Sequence, residues 1–516
     1  GGSLFDLAEI SRIVIHPSET ETIFLSASNG LWTSEDGGST WNMLLSGSFT
    51  DVIIVQNPAE KGLVRLLAGK SGSGLITLVR SNSGWGNPAE IAITGVTPGS
   101  SNITIGVCRN SPNEIYAAFS APPKAIDLLQ SIARSSDWGK TWTACNIPDS
   151  SIGFVYQANY NLSIQPHPEN AEIVILAVVD IFKSIDGGKT WNNISLSKNL
   201  LVHSDTRAIT FHPTASDSLY IGTDGGVYFS SDAGEQWQAR NLDISSLQIY
   251  DFGQHPQHEA IIIAGAQDNG GFYYNGAPIW KRHWVLPDVT HNSMDGDVVF
   301  AQIDPFNPYI HYYGTGPERN NFRSDDGGKL FTGFWKNFPN TIWKTPFFCS
   351  PHIPGVVYTG GDDLQRSTNR GDDWSPVTAT LIGSIKTIGF HPTDKHQLIV
   401  ATNQGKMYRI TGPANGEWNI STVKTKNITF TGIPNDVMIS SIAVTDSGTI
   451  WISFSNLQKS EDTGEFTNQY VFRLDAGASV WVEKSNGLSK TNPVNTIICD
   501  PNDTNIVYCG ADWGVF

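Results

Sequence analysis

Short apolar runs alternate with polar positions along the whole chain, and clusters of Gly, Asn, Asp and Pro separate them. Near the start, residues 22–26, 30–33 and 41–45 are three such runs. Alternation with a period of two is typical of half-buried strands, and turn residues end each strand. The pattern therefore predicts an all-β fold of short antiparallel strands joined by hairpins. Residues 124–134 are the one stretch that predicts a short helix, in a loop insertion.

A phrase of eight residues, Ser-x-Asp-Gly-Gly-x-Thr-Trp, occurs at 34–41 and again at 184–191. Looser copies lie at 135–142, 230–237, 324–331 and 367–374. The glycines supply the positive φ of a tight turn, and the Ser and Asp side chains can accept hydrogen bonds from backbone N–H groups in that turn. We therefore expect structural rather than catalytic roles for the aspartates of the phrase, which are Asp36, Asp137, Asp186, Asp232 and Asp326.

A second phrase, an apolar strand that ends in His-Pro or Asp-Pro, precedes most copies of the first, for example at 13–17 and 209–213. Pro ends a strand and sets a turn. The two phrases together define repeat units of about 47 residues, the length of one four-stranded propeller blade. The units begin near residues 10, 48, 102, 160, 202, 247, 296, 341, 384, 438 and 493.

The repeats predict one domain over residues 1–516, a large β-propeller of about ten to eleven four-stranded blades. The last unit is incomplete, and residues 1–9 read like the end of a repeat phrase with a fourth strand. We expect that strand to complete the last blade and close a single ring. Two alternatives remain open: two tandem propellers, and termini cut from a longer chain.

The phrase Ser-x-Asp-Gly-Gly-x-Thr-Trp resembles the Asp-box, or BNR repeat, of sialidases, sortilin-like receptors and xyloglucanase-like hydrolases. This resemblance implies that each box is a structural staple between the third and fourth strands of a blade. A sialidase is disfavoured, because that family carries an Arg-Ile-Pro motif near its start, and Arg12-Ile13-Val14 lacks the Pro. Eleven units also exceed the six blades of a sialidase.

Composition limits the partners and the compartment. The chain has 49 acidic and 33 basic residues, a net charge of −16, which argues against nucleic acid as a partner. No motif indicates a cofactor or a metal site, and no apolar run is long enough for membrane insertion. The five cysteines cannot all pair internally. The low lysine content and the Asp-box resemblance favour a secreted or cell-surface protein. Six sequons are candidate glycosylation sites, at Asn102, Asn161, Asn193, Asn419, Asn427 and Asn502.

Propeller topology indicates where a site would lie. In a four-stranded blade, the loop that leads into strand one and the loop that joins strands two and three open on the face opposite the boxes, and such loops carry function. In blades five to eight these loops are rich in polar residues. We expect a ligand-binding face there, formed by His203, Asp205, Arg207, Asp224, Gln267, Asp268, Asn269, Asp295, Asp297, Arg319 and Asp362.

Residues 202–330 also resemble a run found in many secreted BNR-repeat proteins: His-x-Asp, then Thr-Asp-Gly-Gly, then Gln-Asp-Asn-Gly, then Asp-Gly. One departure is Arg207, where that run has His. The resemblance implies the fold and the location of a site more than the chemistry that takes place there.

Two functions fit these residues. The main hypothesis is an extracellular binding or scaffold propeller whose face opposite the boxes recognises a protein or a glycan. The alternative is a glycoside hydrolase of the xyloglucanase-like kind, which needs paired carboxylates. Its catalytic candidates are Asp205, Asp224, Asp268 and Asp297. A structural interpretation competes with both, because Asp-Gly and Asn-Gly pairs also shape tight hairpins.

Overall fold

The computed structural model describes residues 8–60, 62–123, 125–197, 200–242, 244, 247–277, 279–282, 296–316, 321–334, 341–433, 438–456 and 469–516. Every regular element in these ranges is a β-strand. Across the same ranges, a search for helices of membrane-spanning length and apolarity finds none. The chain divides into two compact units, unit 1 (residues 1–246) and unit 2 (residues 247–516), and each is described by itself.

Unit 1 contains, within its described residues, four four-stranded sheets, one five-stranded sheet and one two-stranded ribbon. Its strands are β1 (Ile10–Ile15), β2 (Ile23–Ala27), β3 (Gly30–Ser34) and β4 (Asn42–Ser46); β5 (Phe49–Val55), β6 (Val64–Lys70), β7 (Leu75–Ser81), β8 (Gly84–Trp85) and β9 (Ala89–Ile91); β10 (Ile103–Val107), β11 (Ile115–Ser120), β12 (Leu129–Ser135) and β13 (Thr143–Cys145); β14 (Ser163–Pro166), β15 (Val174–Ala177), β16 (Ile181–Ser184) and β17 (Asn192–Asn193); β18 (Leu196–Ser197) and β19 (Leu200–Leu201); and β20 (Thr206–Phe211), β21 (Leu219–Thr223), β22 (Gly226–Ser230) and β23 (Gln238–Ala239).

Unit 2 contains five four-stranded sheets and one three-stranded sheet in its described part. Its strands are β24 (Ile249–His255), β25 (His258–Ala266), β26 (Gly270–Tyr274) and β27 (Lys281–Arg282); β28 (Phe300–Ile303), β29 (His311–Gly314), β30 (Asn321–Ser324) and β31 (Thr332–Phe334); β32 (Phe347–Cys349), β33 (Val357–Gly360), β34 (Leu364–Ser367) and β35 (Ser375–Pro376); β36 (Ile385–Phe390), β37 (Gln397–Thr402), β38 (Met407–Thr411) and β39 (Lys424–Ile428); β40 (Ile439–Val444), β41 (Ile450–Phe454), β42 (Val471–Leu474) and β43 (Val482–Glu483); and β44 (Val494–Cys499), β45 (Val507–Ala511) and β46 (Gly514–Val515).

The four-stranded sheets all have their strands in chain order and antiparallel, so each is a meander of the kind that forms a propeller blade. Inner strands of the sheets are strongly buried, as in β11, whose six residues are all buried. Apolar residues of neighbouring sheets pack into shared cores, for example Val174 and Leu176 of β15 with Tyr116 and Ala118 of β11. The predicted all-β propeller fold is confirmed. The number of rings and the closure by residues 1–9 remain predictions, and residues 1–7 lie outside the described residues.

The turn between the third and fourth strands is built the same way in six sheets, and we call it the Ser–Asp turn. In residues 184–191, the buried Ser184 hydroxyl donates to Asp186 (2.8 Å) and accepts the N–H of Gly188 (2.9 Å). Asp186 accepts the N–H (2.9 Å) and the hydroxyl (2.6 Å) of Thr190. The same Ser-to-Asp and Gly-to-Ser bonds recur in the turns of Asp36, Asp137, Asp232 and Asp326, and Asn369 replaces Asp in the sixth.

In two of the six Ser–Asp turns, the tryptophan that follows the turn connects neighbouring sheets. Trp191 Nε1 donates to the carbonyl of Asn146, which follows the last strand of the preceding sheet, at 2.9 Å. Trp237 bonds the carbonyl of Ile194 in the same way, also at 2.9 Å. Both indoles are buried, and a buried indole N–H needs such a partner. The turn therefore fixes the fourth strand and also docks the sheet on its neighbour.

The His-Pro turns have their own hydrogen bonds. The Nδ1 atom of the histidine accepts a backbone N–H two or three residues later, as in His16 from Glu19 (3.0 Å) and His391 from Asp394 (3.0 Å). The rings of His167 and His212 do the same. These rings therefore act as turn caps.

The helix predicted over residues 124–134 is wrong. Residues 129–135 form β12, which pairs with β11 on one side and β13 on the other. Leu129, Ser131 and Ala133 are buried, and Gln130 and Arg134 are partly exposed. The sheet buries one face of the segment, and this tertiary burial overrides the helix propensity of its residues. The five cysteines are unpaired, so no disulfide contributes to the fold.

We predict that Ser184→Ala lowers the free energy of unfolding by about 1–3 kcal/mol, because it leaves the buried N–H of Gly188 without its acceptor. Thermal or urea unfolding of the purified chain measures this change. Ser150→Ala is the matched control, since Ser150 is an exposed serine outside the Ser–Asp turns. Equal stability of the two variants would contradict the assigned role.

The Ser–Asp turns also predict that the stability of the fold decreases at acid pH. The Thr190 hydroxyl, followed by the Thr190 N–H, lowers the pKa of Asp186 to about 2, and Thr40 does the same for Asp36. Because the folded-state pKa lies below the unfolded value of about 4, this contribution is complete above pH 4 and is lost as the pH falls toward 2. The unfolding temperature of Asp186→Asn should therefore fall less steeply than that of the unchanged chain between pH 4 and pH 2. Parallel pH profiles would contradict this.

Candidate functional site

Loops of two neighbouring sheets in unit 1 bring a group of polar side chains together on the side opposite the Ser–Asp turns. Asp205 immediately precedes β20, and Asp224 lies in the loop between β21 and β22. Residues 151–161 lead into β14 of the preceding sheet and supply Tyr160 and Asn161. We call Tyr160, Asn161, Asp205, Arg207 and Asp224 the unit 1 cluster.

Arg207 binds Asp224 through two hydrogen bonds. Its Nε and Nη2 atoms donate to the two carboxylate oxygens at 2.8 and 2.9 Å. The guanidinium carbon also lies 3.4 Å from the centre of the Tyr160 ring, which is a stacked cation–π contact. Bidentate pairing fixes the geometry of both side chains. A metal ion at Asp224 would have to displace this guanidinium.

Asp205 has a different environment. Its Oδ1 accepts a hydrogen bond from Asn161 Nδ2 at 2.6 Å, and its backbone has a φ of 63°. The backbone N–H donates to Val179 O at 3.0 Å, which holds this loop on the preceding sheet. Burial, followed by the charge of Asp224, raises the pKa of Asp205. One carboxylate oxygen of Asp205 lies within 4.8 Å of one of Asp224. The two carboxyl groups are therefore neighbours with different hydrogen-bond partners.

His203 and Gly225 pack against each other at the edge of the cluster. A Cβ atom on Gly225 would lie 2.2 Å from His203 Cγ, so only glycine fits at this position. The neighbouring Gly226 has a φ of 116°, and its carbonyl accepts from the Thr223 hydroxyl at 3.2 Å. The Thr-Asp-Gly-Gly loop is thus a close-packed turn that presents Asp224.

Three aromatic rings beside the cluster are exposed to solvent. Phe154, Tyr156 and Tyr160 are 59%, 46% and 64% exposed, and the rings of Phe154 and Tyr156 lie 6.1 Å apart. Backbone hydrogen bonds from Phe154 to Asp180 and from Gln157 to Asp127 hold their loop over its own sheet and the preceding one. These rings are not among the site residues predicted from the sequence. They lie in the loop that leads into the first strand of the fourth repeat. Loops of this kind are expected to carry function in the fifth repeat, and the same expectation applied to the fourth repeat indicates these rings.

The remaining predicted residues fall in unit 2 or outside the described residues. Asp268, with a φ of 56°, donates its backbone N–H to Asp297 Oδ1 at 3.1 Å, and Asn269 Nδ2 donates to Gln267 O at 3.0 Å. Asp362 lies in the loop between β33 and β34, where its carbonyl accepts from Leu381 N. Asp295 and Arg319 lie outside the described residues. The candidate aspartates therefore form two neighbouring pairs, Asp205–Asp224 in unit 1 and Asp268–Asp297 in unit 2.

The sequons differ in accessibility. Asn161 is fully buried, and its Nδ2 donates to Asp205 and to Gln157. The expectation of a glycan at Asn161 is therefore wrong, because this nitrogen is committed inside the cluster. Asn427 and Asn502 are exposed, and the side chains of the other three are partly exposed: Asn102, Asn193 and Asn419.

Known proteins resemble the chain in parts. The family model described as Sortilin-Vps10 (sortilin, neurotensin receptor 3) matches residues 130–271. Vacuolar protein sorting/targeting protein 10 of Schizosaccharomyces pombe is 28% identical over 43% of this chain and 16% of its own length. A xyloglucanase of Hypocrea jecorina is 25% identical over 66% of this chain and 43% of its own length. The chain spans less than half the length of these curated relatives.

Among solved structures, PorZ, a surface component of the type-IX secretion system of Porphyromonas gingivalis, aligns over 97% of this chain and 66% of its own, with a TM-score of 0.50 and 12% identity. At that identity the match concerns the fold alone. The chain is a β-propeller protein. Its matches place it in the superfamily of sortilin-like and xyloglucanase-like propellers.

We predict that Gly225→Ala destabilises the chain by about 1–3 kcal/mol, because the new methyl group overlaps His203. Gly222→Ala, three residues earlier, is the control, since a Cβ atom there meets nothing within 4 Å. Unfolding of both variants by urea, followed by tryptophan fluorescence, measures the difference. If Gly225→Ala were as stable as Gly222→Ala, the packing described for this loop would be incorrect.

Proposed function

We propose that this chain acts on a neutral β-glucan of the xyloglucan type, outside the cell, and that the polysaccharide binds across the unit 1 cluster and its exposed aromatic rings. Asp205 donates a proton to the glycosidic oxygen as the bond from that oxygen to the anomeric carbon breaks, and the Arg207-held carboxylate of Asp224 lies beside the positive charge that develops on the sugar. A water molecule then adds to the anomeric carbon and returns a proton to Asp205. The observation that carries this proposal is the pairing of two adjacent carboxyl groups with unequal environments.

The environments of the two carboxyl groups support these roles. A general acid needs a pKa raised toward the working pH, and burial beside the Asp224 charge raises the pKa of Asp205. A stabilising carboxylate has to be held in a fixed position, and two hydrogen bonds from Arg207 fix the carboxylate of Asp224. In glycoside hydrolysis, one carboxyl group donates a proton and a second one acts as a carboxylate.

The surroundings favour a neutral sugar chain. Exposed aromatic rings are amphipathic surfaces that suit the apolar faces of pyranose rings, and three of them lie in the loop that carries Asn161. The net charge of −16 repels acidic polysaccharides. The xyloglucanase from Hypocrea jecorina matches two thirds of this chain at 25% identity, in agreement with this substrate class.

A second candidate function is binding without turnover. The bidentate pairing of Asp224 with Arg207 favours it, because it leaves Asp205 as the one carboxyl group of the unit 1 cluster without a cationic partner. A binding or scaffold propeller would use the same aromatic rings and would need no proton donor.

Hydrolysis and binding assays on xyloglucan and mixed-linkage β-glucan, with Asp205→Asn, test the proposal. We expect release of reducing ends by the unchanged chain and a loss of about 10²–10⁴-fold in kcat for the variant, with KM little changed. Asp36→Asn, in a Ser–Asp turn on the other side of the sheets, is the control and should keep its turnover. Binding without turnover would support the second candidate. Neither binding nor turnover would contradict both functions.

A further inference from the structure

Unit 2 contains a cavity of about 510 Å³ that belongs to no part of the unit 1 cluster. Its walls come from the first strands of the six sheets of the unit, β24, β28, β32, β36, β40 and β44, and from the residues just before β32. A cavity of this volume is in the range that holds a small molecule. Because the first strands of all these sheets meet there, the lining is set by the framework of the unit.

Three charged side chains line the cavity: Asp251, Lys344 and Lys386. The carboxylate of Asp251 is compensated, since its Oδ2 accepts from Ala301 N at 3.2 Å and from Gln302 Nε2 at 3.3 Å. Burial raises the pKa of Asp251. The lining therefore carries a net positive charge in a chain that is strongly acidic as a whole.

The two lysines are not equivalent. Lys344 Nζ donates to Tyr250 O at 2.6 Å, on the strand that also carries Asp251. Lys386, in β36, is partly buried and makes neither an ion pair nor a hydrogen bond within the described part of the chain. Burial, followed by the charge of Lys344, lowers the pKa of Lys386. A partly desolvated ammonium group beside another cation is unfavourable unless an anion joins it.

The rest of the lining suits an anionic guest. Three residues with hydroxyl groups line the cavity: Thr387, Ser441 and Thr496. They lie in β36, β40 and β44, which are the first strands of three successive sheets. Hydroxyl and ammonium groups together are donors that oxyanions accept well, and apolar walls such as Ile388 and Phe347 strengthen charge interactions by excluding water.

We propose that the unit 2 cavity is a binding site for an oxyanion, a phosphate, sulfate or carboxylate group of a small ligand, held by Lys344 and Lys386. This site is separate from the proposed sugar-binding face, and its occupancy does not depend on hydrolytic activity. The anion neutralises Lys386 and restores to it the hydrogen bonds that it lost on leaving water.

Calorimetric titration of the full chain with inorganic phosphate, sulfate and glucuronate tests the proposal, with glucose as the neutral control. We expect at least one anion to bind and glucose not to bind. Lys386→Met and Lys344→Met should each weaken the anion about tenfold or more. Lys386→Arg keeps the charge, and Lys426→Met removes an exposed lysine of the same unit, so both should stay within about threefold of the unchanged chain. Preference for phosphate or sulfate indicates a tetrahedral ligand, and preference for glucuronate indicates an acidic sugar.

The rate of lysine acylation near pH 8, read site by site by mass spectrometry, gives an independent readout. Lys386 should react at least about threefold more slowly with a saturating anion than in the free chain, and the rate at the exposed Lys426 should not change. If none of the three anions binds, or if binding is unchanged in both the Lys386→Met and Lys344→Met variants, the proposal is wrong. Loss of binding in Lys426→Met alone would also overturn it.

Discussion

The Ser–Asp turn is the interaction on which six of the sheets depend. A short fourth strand such as β17, with two residues, cannot be held by strand pairing alone. The turn supplies what pairing lacks: Ser184 and Asp186 satisfy the backbone of residues 188–190, and Trp191 then reaches the carbonyl of Asn146 on the preceding sheet. One local motif thus fixes both a strand and a contact between sheets. Since connections alternate sides in a meander, it also leaves the loops on the opposite side for other roles.

The sequence predicts this framework well because its signals are local. The spacing of Ser, Asp, Gly and Trp defines a turn without reference to the rest of the chain, and the period-two pattern defines the strands around it. The segment 129–135, which forms β12, is harder to predict. Its strand character comes from its two neighbours in the sheet, β11 and β13, rather than from its own residues. Local propensity decides only where packing does not.

Part of the candidate site can also be predicted from local signals in the sequence. Asp205 and Asp224 come from two loops of one sheet, so topology alone brings them near each other. The roles that separate them depend on the neighbouring sheet: Tyr160 stacks on Arg207, and Asn161 binds Asp205. The cavity lysines are a similar case, since Lys344 lies just before β32 and Lys386 lies in β36 of another sheet, and no motif connects them. Contacts between repeats leave little trace in a single sequence.

The central claim is that a sugar chain lies on the aromatic rings with a glycosidic oxygen at Asp205. The most direct measurement is a crystal structure of the Asp205→Asn variant soaked with a xyloglucan oligosaccharide. The account predicts pyranose rings stacked on Tyr156 or Tyr160, and a glycosidic oxygen within hydrogen-bonding distance, about 2.6–3.2 Å, of the side chain at position 205. An oligosaccharide bound elsewhere, with this face of unit 1 empty, would contradict it.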